Sequence, residues 1–216
     1  MGTTERRRRE RRQRENQIRD AAIKVFQEKG FNHATIEAIA GEAELSVGTI
    51  YLYFKNKEEL YASLNQRTIE KFDQGLDVIM ADGAASPESK LERAWELLFS
   101  VFCRSPIYIR ALVHGQLQGT LQDISPDLLF ALNETAQRIM AKFAGILRQG
   151  MDQGSFMRAE PAALADLFWG TFTGVVSWEE AKRTTDPRKA YLEPTLKLAF
   201  RVFIQGIQER SRGGRQ

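Results

Sequence analysis

Two hydroxyl residues, Thr35 and Ser46, each stand at the head of a short apolar repeat of helical period. A side-chain oxygen in that position accepts from a free backbone N–H of the first helical turn, so both predict helix starts. After Thr35, the residues Ile36, Ile39 and Ala40 recur on one inward face. After Ser46, Val47, Ile50 and Phe54 do the same, which leaves Gly48, Thr49, Tyr51 and Tyr53 for the other faces. The spacing predicts two short helices joined by a tight turn, a unit that can lay its second helix in the major groove of DNA. Hydroxyl-bearing side chains beside a small glycine suit close approach to phosphates and base edges. Asn56 and Glu59 have the spacing of a capping box and open a third helix. Lys57, in its first turn, is poorly placed for the helix dipole, and a phosphate partner would account for it.

With the run Gly48-Thr49-Ile50-Tyr51-Leu52-Tyr53-Phe54, the Lys55-Asn56-Lys57-Glu58-Glu59-Leu60 that follows, and their place near the start of the chain, residues 15 to 64 resemble the TetR/AcrR-like family of bacterial one-component transcriptional regulators. The resemblance implies that Thr35, Thr49, Tyr53 and Lys57 hold phosphates, and that Val47, Gly48 and Tyr51 approach base edges or the sugar-phosphate rim. Ser46 and Lys55 complete the expected DNA-binding set. The chain departs from the family in the turn, where Glu44 stands in place of the usual glycine. If the turn is kept, Glu44 adopts a positive φ at a cost of about 1 kcal/mol relative to glycine.

Charge is divided unevenly. Residues 1–57 carry 12 basic and 8 acidic side chains, while residues 58–216 carry 19 and 20. Within the first part, residues 1–19 hold eight Arg against three Glu, and residues 20–57 sum to −1. The arm, not the helix-turn-helix, therefore supplies the positive field expected of a DNA-binding end. Glu5 with Arg9, Glu10 with Arg14, and Glu15 with Arg19 are i,i+4 pairs that each favour a helix by a few tenths of a kcal/mol. The first helix is expected to extend back into the arm, with Arg6, Arg7, Arg8, Arg11 and Arg12 contacting DNA backbone or minor groove.

The rest of the chain is punctuated for helices. Residues 1–86 hold no Pro; beyond them Ser86-Pro87, Ser105-Pro106, Ser125-Pro126 and Asp186-Pro187 read as an N-cap followed by Pro at the first helical position. Glu160-Pro161 is a weaker version, and Pro194 either starts the last helix or kinks it. Gly30 closes the first helix. Leu60, Leu64, Thr68, Phe72, Leu76 and Ile79 form one long helical stripe, and Asp82 to Ser86 a linker. With no hairpin or alternating pattern, the fold is expected to be all-α with about nine helices. The expected domains are a basic arm (1–14), a helix-turn-helix domain (15–58), a ligand-binding and dimerisation domain (59–210) and a flexible tail (211–216).

No nucleophile with its base, paired carboxylates or phosphate loop can be assembled, so an enzyme is not expected. Cys103 and His114 read as a buried thiol and an ordinary polar histidine. One Cys fits a reducing compartment, the two His are far apart with no metal-ligand spacing, and no cofactor is expected. No signal peptide is legible and the most apolar segment, Ala162 to Trp178, is interrupted by Asp166; a cytoplasmic protein with no membrane partner is expected.

Aromatic bulk between Leu91 and Phe143 is where the resemblance implies a pocket for a small-molecule effector, with Trp95, Phe99, Phe102, Tyr108, Phe130 and Phe143 as lining and Arg110, His114 and Gln118 as polar anchors. Plain core packing is the competing account of each aromatic. Leu164, Phe168, Phe172 and Val175 stripe one late helix, and Leu196, Phe200, Phe203 and Ile207 another; facing outward, they would make a two-fold homodimer. The expectation is a ligand-responsive regulator, a repressor released from a double-stranded DNA operator by a small apolar or amphipathic effector. The alternatives are an all-α small-molecule carrier, or a surface-binding protein whose arm meets anionic lipid, although that arm lacks the apolar face of a membrane-surface helix.

Overall fold

The structure, a computed structural model, describes residues 3–104, 124–185 and 191–209. Eight helices occupy them: α1 (Thr3–His33), α2 (Ile36–Glu42), α3 (Val47–Tyr51), α4 (Lys57–Ala81), α5 (Pro87–Arg104), α6 (Pro126–Asp152), α7 (Pro161–Thr185) and α8 (Leu192–Ile207). Among the described residues the only β pairing is an isolated bridge between Phe156 and Gln208, so the chain is all-α as expected. Two compact units divide inside α4 at Thr68, with residues 124–132 grouped with the first.

The punctuation acts as the sequence predicts. Thr35 Oγ1 accepts from Ala38 N at 3.2 Å and Ser46 Oγ from Thr49 N at 3.1 Å. Ser86 Oγ accepts from Ser89 N ahead of Pro87, and Pro126 and Pro161 open α6 and α7. Pro194 is the third residue of α8, in the first turn, where the lack of an N–H costs no helical bond. Gly30, at φ 72°, breaks the helical path of α1 before His33. The segments Ser105-Pro106 and Asp186-Pro187 lie outside the described residues.

In the first unit, Ile18, Ala22, Val25 and Phe26 of α1 are buried together with Ile36, Ile39 and Ala40 of α2, Ile50 and Phe54 around α3, and Leu60 and Leu64 of α4. Phe26, Phe31 and Tyr61 stack at ring separations of 4.6 to 5.8 Å beside them. In the second unit one cluster runs through Phe72 and Leu76, Trp95, Phe143, Phe168 and Phe172, and Leu196. Gly150 admits the buried Phe156 ring so closely that a Cβ there would lie 2.1 Å from it. Asp73 of α4 is buried and ion-paired to Lys142 (2.7 Å) and Arg138 (3.2 Å) of α6. Burial pulls the Lys142 ammonium pKa down, but its bonds to Asp73 and Asp77 outweigh that and hold it above the ordinary value. Cys103 is exposed, against the expected buried thiol, because it falls in the last turn of α5 beyond the core face.

Candidate functional site

The turn between α2 and α3 carries Glu44 at φ 55°, the only positive-φ residue other than glycine among the described residues. Its N–H and that of Leu45 bond back to Gly41 O and Ala40 O, so the tight turn survives without its usual glycine. Beyond it, α3 buries Ile50 and, just past its end, Phe54 beneath it. On the solvent side stand Gly48, Tyr51 and Leu52, with Tyr51 52% and Leu52 75% exposed. Val47, Thr49 and Tyr53 are half-buried at the edges of this face; Thr35, Ser46 and Lys55 are exposed. The sequence reading missed Leu52, although its signal was present: an apolar residue out of register with Val47, Ile50 and Phe54.

Two expected contacts have intramolecular work as well. Ser46 and Thr49 share a 2.8 Å hydroxyl–hydroxyl bond, which fixes both rotamers. Lys57 donates to Phe31 O at 2.9 Å and Ala34 O at 3.1 Å, and lies 4.5 Å over the Phe31 ring. Its place in a first helical turn is therefore explained within the chain, without a phosphate; one of three ammonium donors remains. The capping box holds in altered form. Glu59 N donates to Asn56 Oδ1, while Glu59 Oε2 reaches past Asn56 to Lys55 N.

The arm is helical from Thr3, as expected, and the expected pair of Glu15 with Arg19 forms, while Glu10 pairs otherwise than read in the sequence. Glu10 turns back to Arg6 (2.8 Å) rather than forward to Arg14, and Glu15 meets both Arg11 (3.2 Å) and Arg19 (3.5 Å). Each glutamate has an arginine one turn away on both sides, so spacing alone could not choose. Arg14 bonds Gln17, whose amide reaches Ala43 O in the turn, and Arg11 lies over the Tyr53 ring at 5.4 Å.

The expected effector residues scatter. Trp95, Phe102 and Phe143 are buried in the core, where Trp95 meets the Phe168, Phe172 and Phe200 rings at 5.1 to 5.5 Å. Phe130 is 65% exposed. Tyr108, Arg110, His114 and Gln118 lie outside the described residues. Among the described residues, Trp95 and Phe99 border a groove of about 460 Å³ between α5 and α8. Phe200, Leu196 and Ile204 share its floor, with Glu88, Glu92 and Glu96 on the α5 rim and Glu193, its ion-pair partner Lys197, and Arg201 on the α8 rim. The three glutamates at spacings of four were the sequence signal for that rim and went unread.

The expected dimer residues face mostly into their own chain. Leu164, Phe168, Phe172 and Leu196 are buried in their own chain's core, and Val175, Phe200 and Phe203 are half-buried against it. They hold α7 to α8 and the remaining helices, and so offer little to a partner. The outward face lies beside them: Leu167 and Trp178 on α7, 59% and 66% exposed, and Leu198 and Val202 on α8, 56% and 60% exposed. Gly170 and Gly174 lie between Leu167 and Trp178, with nothing within 4 Å of where a Cβ would stand.

Residues 18–64 match the family model described as bacterial regulatory proteins, tetR family. Over 162 residues the chain is 30% identical to the fatty acid metabolism regulator protein of Bacillus subtilis, covering 74% of this chain and 80% of that one. Over 172 residues it is 36% identical to an HTH-type transcriptional regulator, YhgD, of the same organism, covering 77% and 85%. Among solved structures it is similar to the Bacillus subtilis regulator FadR in complex with stearoyl-CoA, at a TM-score of 0.63 and 25% identity over 85% of this chain and 96% of that one. A regulator of the TetR/AcrR family from Thermobifida fusca, 18% identical over 90% and 98%, shares the fold at a TM-score of 0.71.

Proposed function

The chain belongs to the tetR family of bacterial regulatory proteins and is a ligand-responsive DNA-binding transcriptional regulator rather than an enzyme; we propose that it is a homodimeric cytoplasmic repressor that an amphipathic effector releases from a palindromic operator. The observation that carries this is the exposed face of α3. Gly48 gives the backbone close access, Tyr51 and Leu52 project from it, and Val47 flanks it, a set suited to base edges and thymine methyl groups. Thr35, Ser46, Thr49, Tyr53, Lys55 and the free donor of Lys57 surround that face and take phosphates.

A single short recognition helix reads few base pairs, so a two-fold pair on one operator is the economical arrangement. Leu167, Trp178, Leu198 and Val202 form the dimer face, with Gly170 and Gly174 letting the partner's helix approach closely. The effector meets the second unit at the aromatic floor that includes Trp95 and Phe99, with the charged rim for its polar end. Bound effector favours a state with misplaced recognition helices, and α4, continuous through both units, is the element that shifts; the change in operator affinity equals the effector's differential affinity.

Selection of DNA from a random library tests this. The expected result is an enriched palindrome whose half-site centres lie about 34–36 Å apart or a multiple of that. Tyr51→Ala should abolish the enrichment. Binding that stays sequence-independent would end the repressor account. Stearoyl-CoA is the first effector to try by operator release, because it occupies the Bacillus subtilis relative's structure.

A further inference from the structure

The arginine arm is helical and is anchored to the helix-turn-helix at three points from Arg11 onward. Arg11 stacks on Tyr53, Arg14 reaches Ala43 O through Gln17, and Arg19 lies over the Phe54 ring at 5.4 Å while bonding Ser63. That geometry decides between two modes of DNA contact. An α-helix with side chains is about 10–12 Å across, whereas the minor groove of B-DNA is about 6 Å wide. An extended arm can thread that groove with its backbone; a helical arm cannot, and its body must lie outside, along the phosphate edges.

The helix also sorts the arginines. At 3.6 residues per turn, Arg7, Arg8 and Arg11 fall within about 60° of the direction that Ile18 and Ala22 take into the unit, the side on which Arg11 meets Tyr53. Arg9 lies on the opposite face. Arg6 lies there too, held by Glu10 at 2.8 Å. Among the described residues Arg7, Arg8, Arg9 and Arg12 have no ion-pair or hydrogen-bond partner, unlike Arg6, Arg11 and Arg14, so it is the helical face that separates Arg7 and Arg8 from Arg9. Arg7 stands one turn from Arg11, a like-charge spacing. A segment built this way is under electrostatic strain alone and relieved by anions.

We propose that Arg7, Arg8 and Arg11 form a helical rail that binds the DNA sugar-phosphate backbone beside the site read by α3, adding affinity without adding sequence preference. This rests on the operator reading above, and it replaces the sequence-based set of Arg6, Arg7, Arg8, Arg11 and Arg12 with one face of α1.

The test is the salt dependence of binding to the operator selected by the wild-type protein, measured for the full chain and for Arg7→Gln, Arg8→Gln and Arg9→Gln made singly. A dimer that loses two phosphate contacts should show a slope of log K against log salt shallower by about 1.8. Arg7→Gln and Arg8→Gln should each do so while selecting the same palindrome. Arg9→Gln, which removes the same charge from the far face, should leave the slope in place. Equal flattening by all three would mean a diffuse field and overturn the rail, as would no flattening by any. A changed base preference at the operator flanks in Arg7→Gln or Arg8→Gln would overturn it in favour of minor-groove reading. If the wild type selects no palindrome, the operator reading fails and the rail falls with it; a palindrome with unaltered slopes sinks the rail alone.

Discussion

Lys57 donates to the backbone carbonyl of Phe31 at 2.9 Å and holds its ammonium 4.5 Å above the same residue's ring. The end of α1 and the start of α4 are thereby closed by one cation. Lys57→Met keeps the apolar stem and removes the charge. It should cost about 1–2 kcal/mol without any DNA present. For a chain of this size that is a melting temperature lower by about 2–8 °C, read by circular dichroism. An unchanged melting temperature with lost operator affinity would assign Lys57 to phosphate alone.

Glu44 at φ 55° carries strain that glycine would not. Glu44→Gly should stabilise the fold by about 0.5–1 kcal/mol, the gain in the turn being partly offset by a freer unfolded chain. The readout is the denaturant midpoint at constant m-value. A neutral or lower midpoint would mean that the Glu44 side chain contributes more than its backbone costs.

The faces of α7 separate association from folding. Trp178→Glu should give a monomer by sedimentation with its helical content intact. Phe168→Ala, wholly buried, should instead cost about 3–5 kcal/mol of fold stability. A dimer that survives Trp178→Glu and Leu198→Glu together would move the interface elsewhere.

Glu179 of α7 is buried and receives Lys182, Tyr191 N and Thr195 Oγ1. Burial pushes its pKa up, but those bonds outweigh it and leave the carboxyl below the ordinary glutamate value. A carboxylate so depressed stabilises the fold at pH values above its unfolded value of about 4.3, and that share is lost as pH falls through the lower folded value. Glu179→Gln should therefore be less stable than the parent at pH 7, and the gap should close as pH falls below the folded value of the carboxyl. A gap that stays constant from pH 7 down through the acid limb would assign the loss to packing.

What the sequence made legible was local. Thr35, Ser46 and Ser86 act on backbone within three residues of themselves, and the positive φ at Glu44 follows from turn geometry a few residues long. What it hid depended on distance or on choosing between faces. Lys57 finds its acceptors 23 and 26 residues back in the chain. The groove exists only because α5 and α8, a hundred residues apart, share a wall. Which face of α7 turns outward was not legible because the helix carries apolar residues on both: Phe168 and Phe172 point inward, Leu167 and Trp178 outward, and periodicity cannot say which is which.

The three tryptophans sit in three different surroundings. Trp95 is enclosed by phenylalanine rings at the groove floor, Trp169 is half-buried, and Trp178 stands in solvent on the outward face of α7. Emission from Trp178 should shift to the blue when that face is covered, while quenching at Trp95 should report filling of the groove. Single-tryptophan versions of the chain would turn assembly and effector occupancy into two separate optical signals, with no label attached to the arm or to α3.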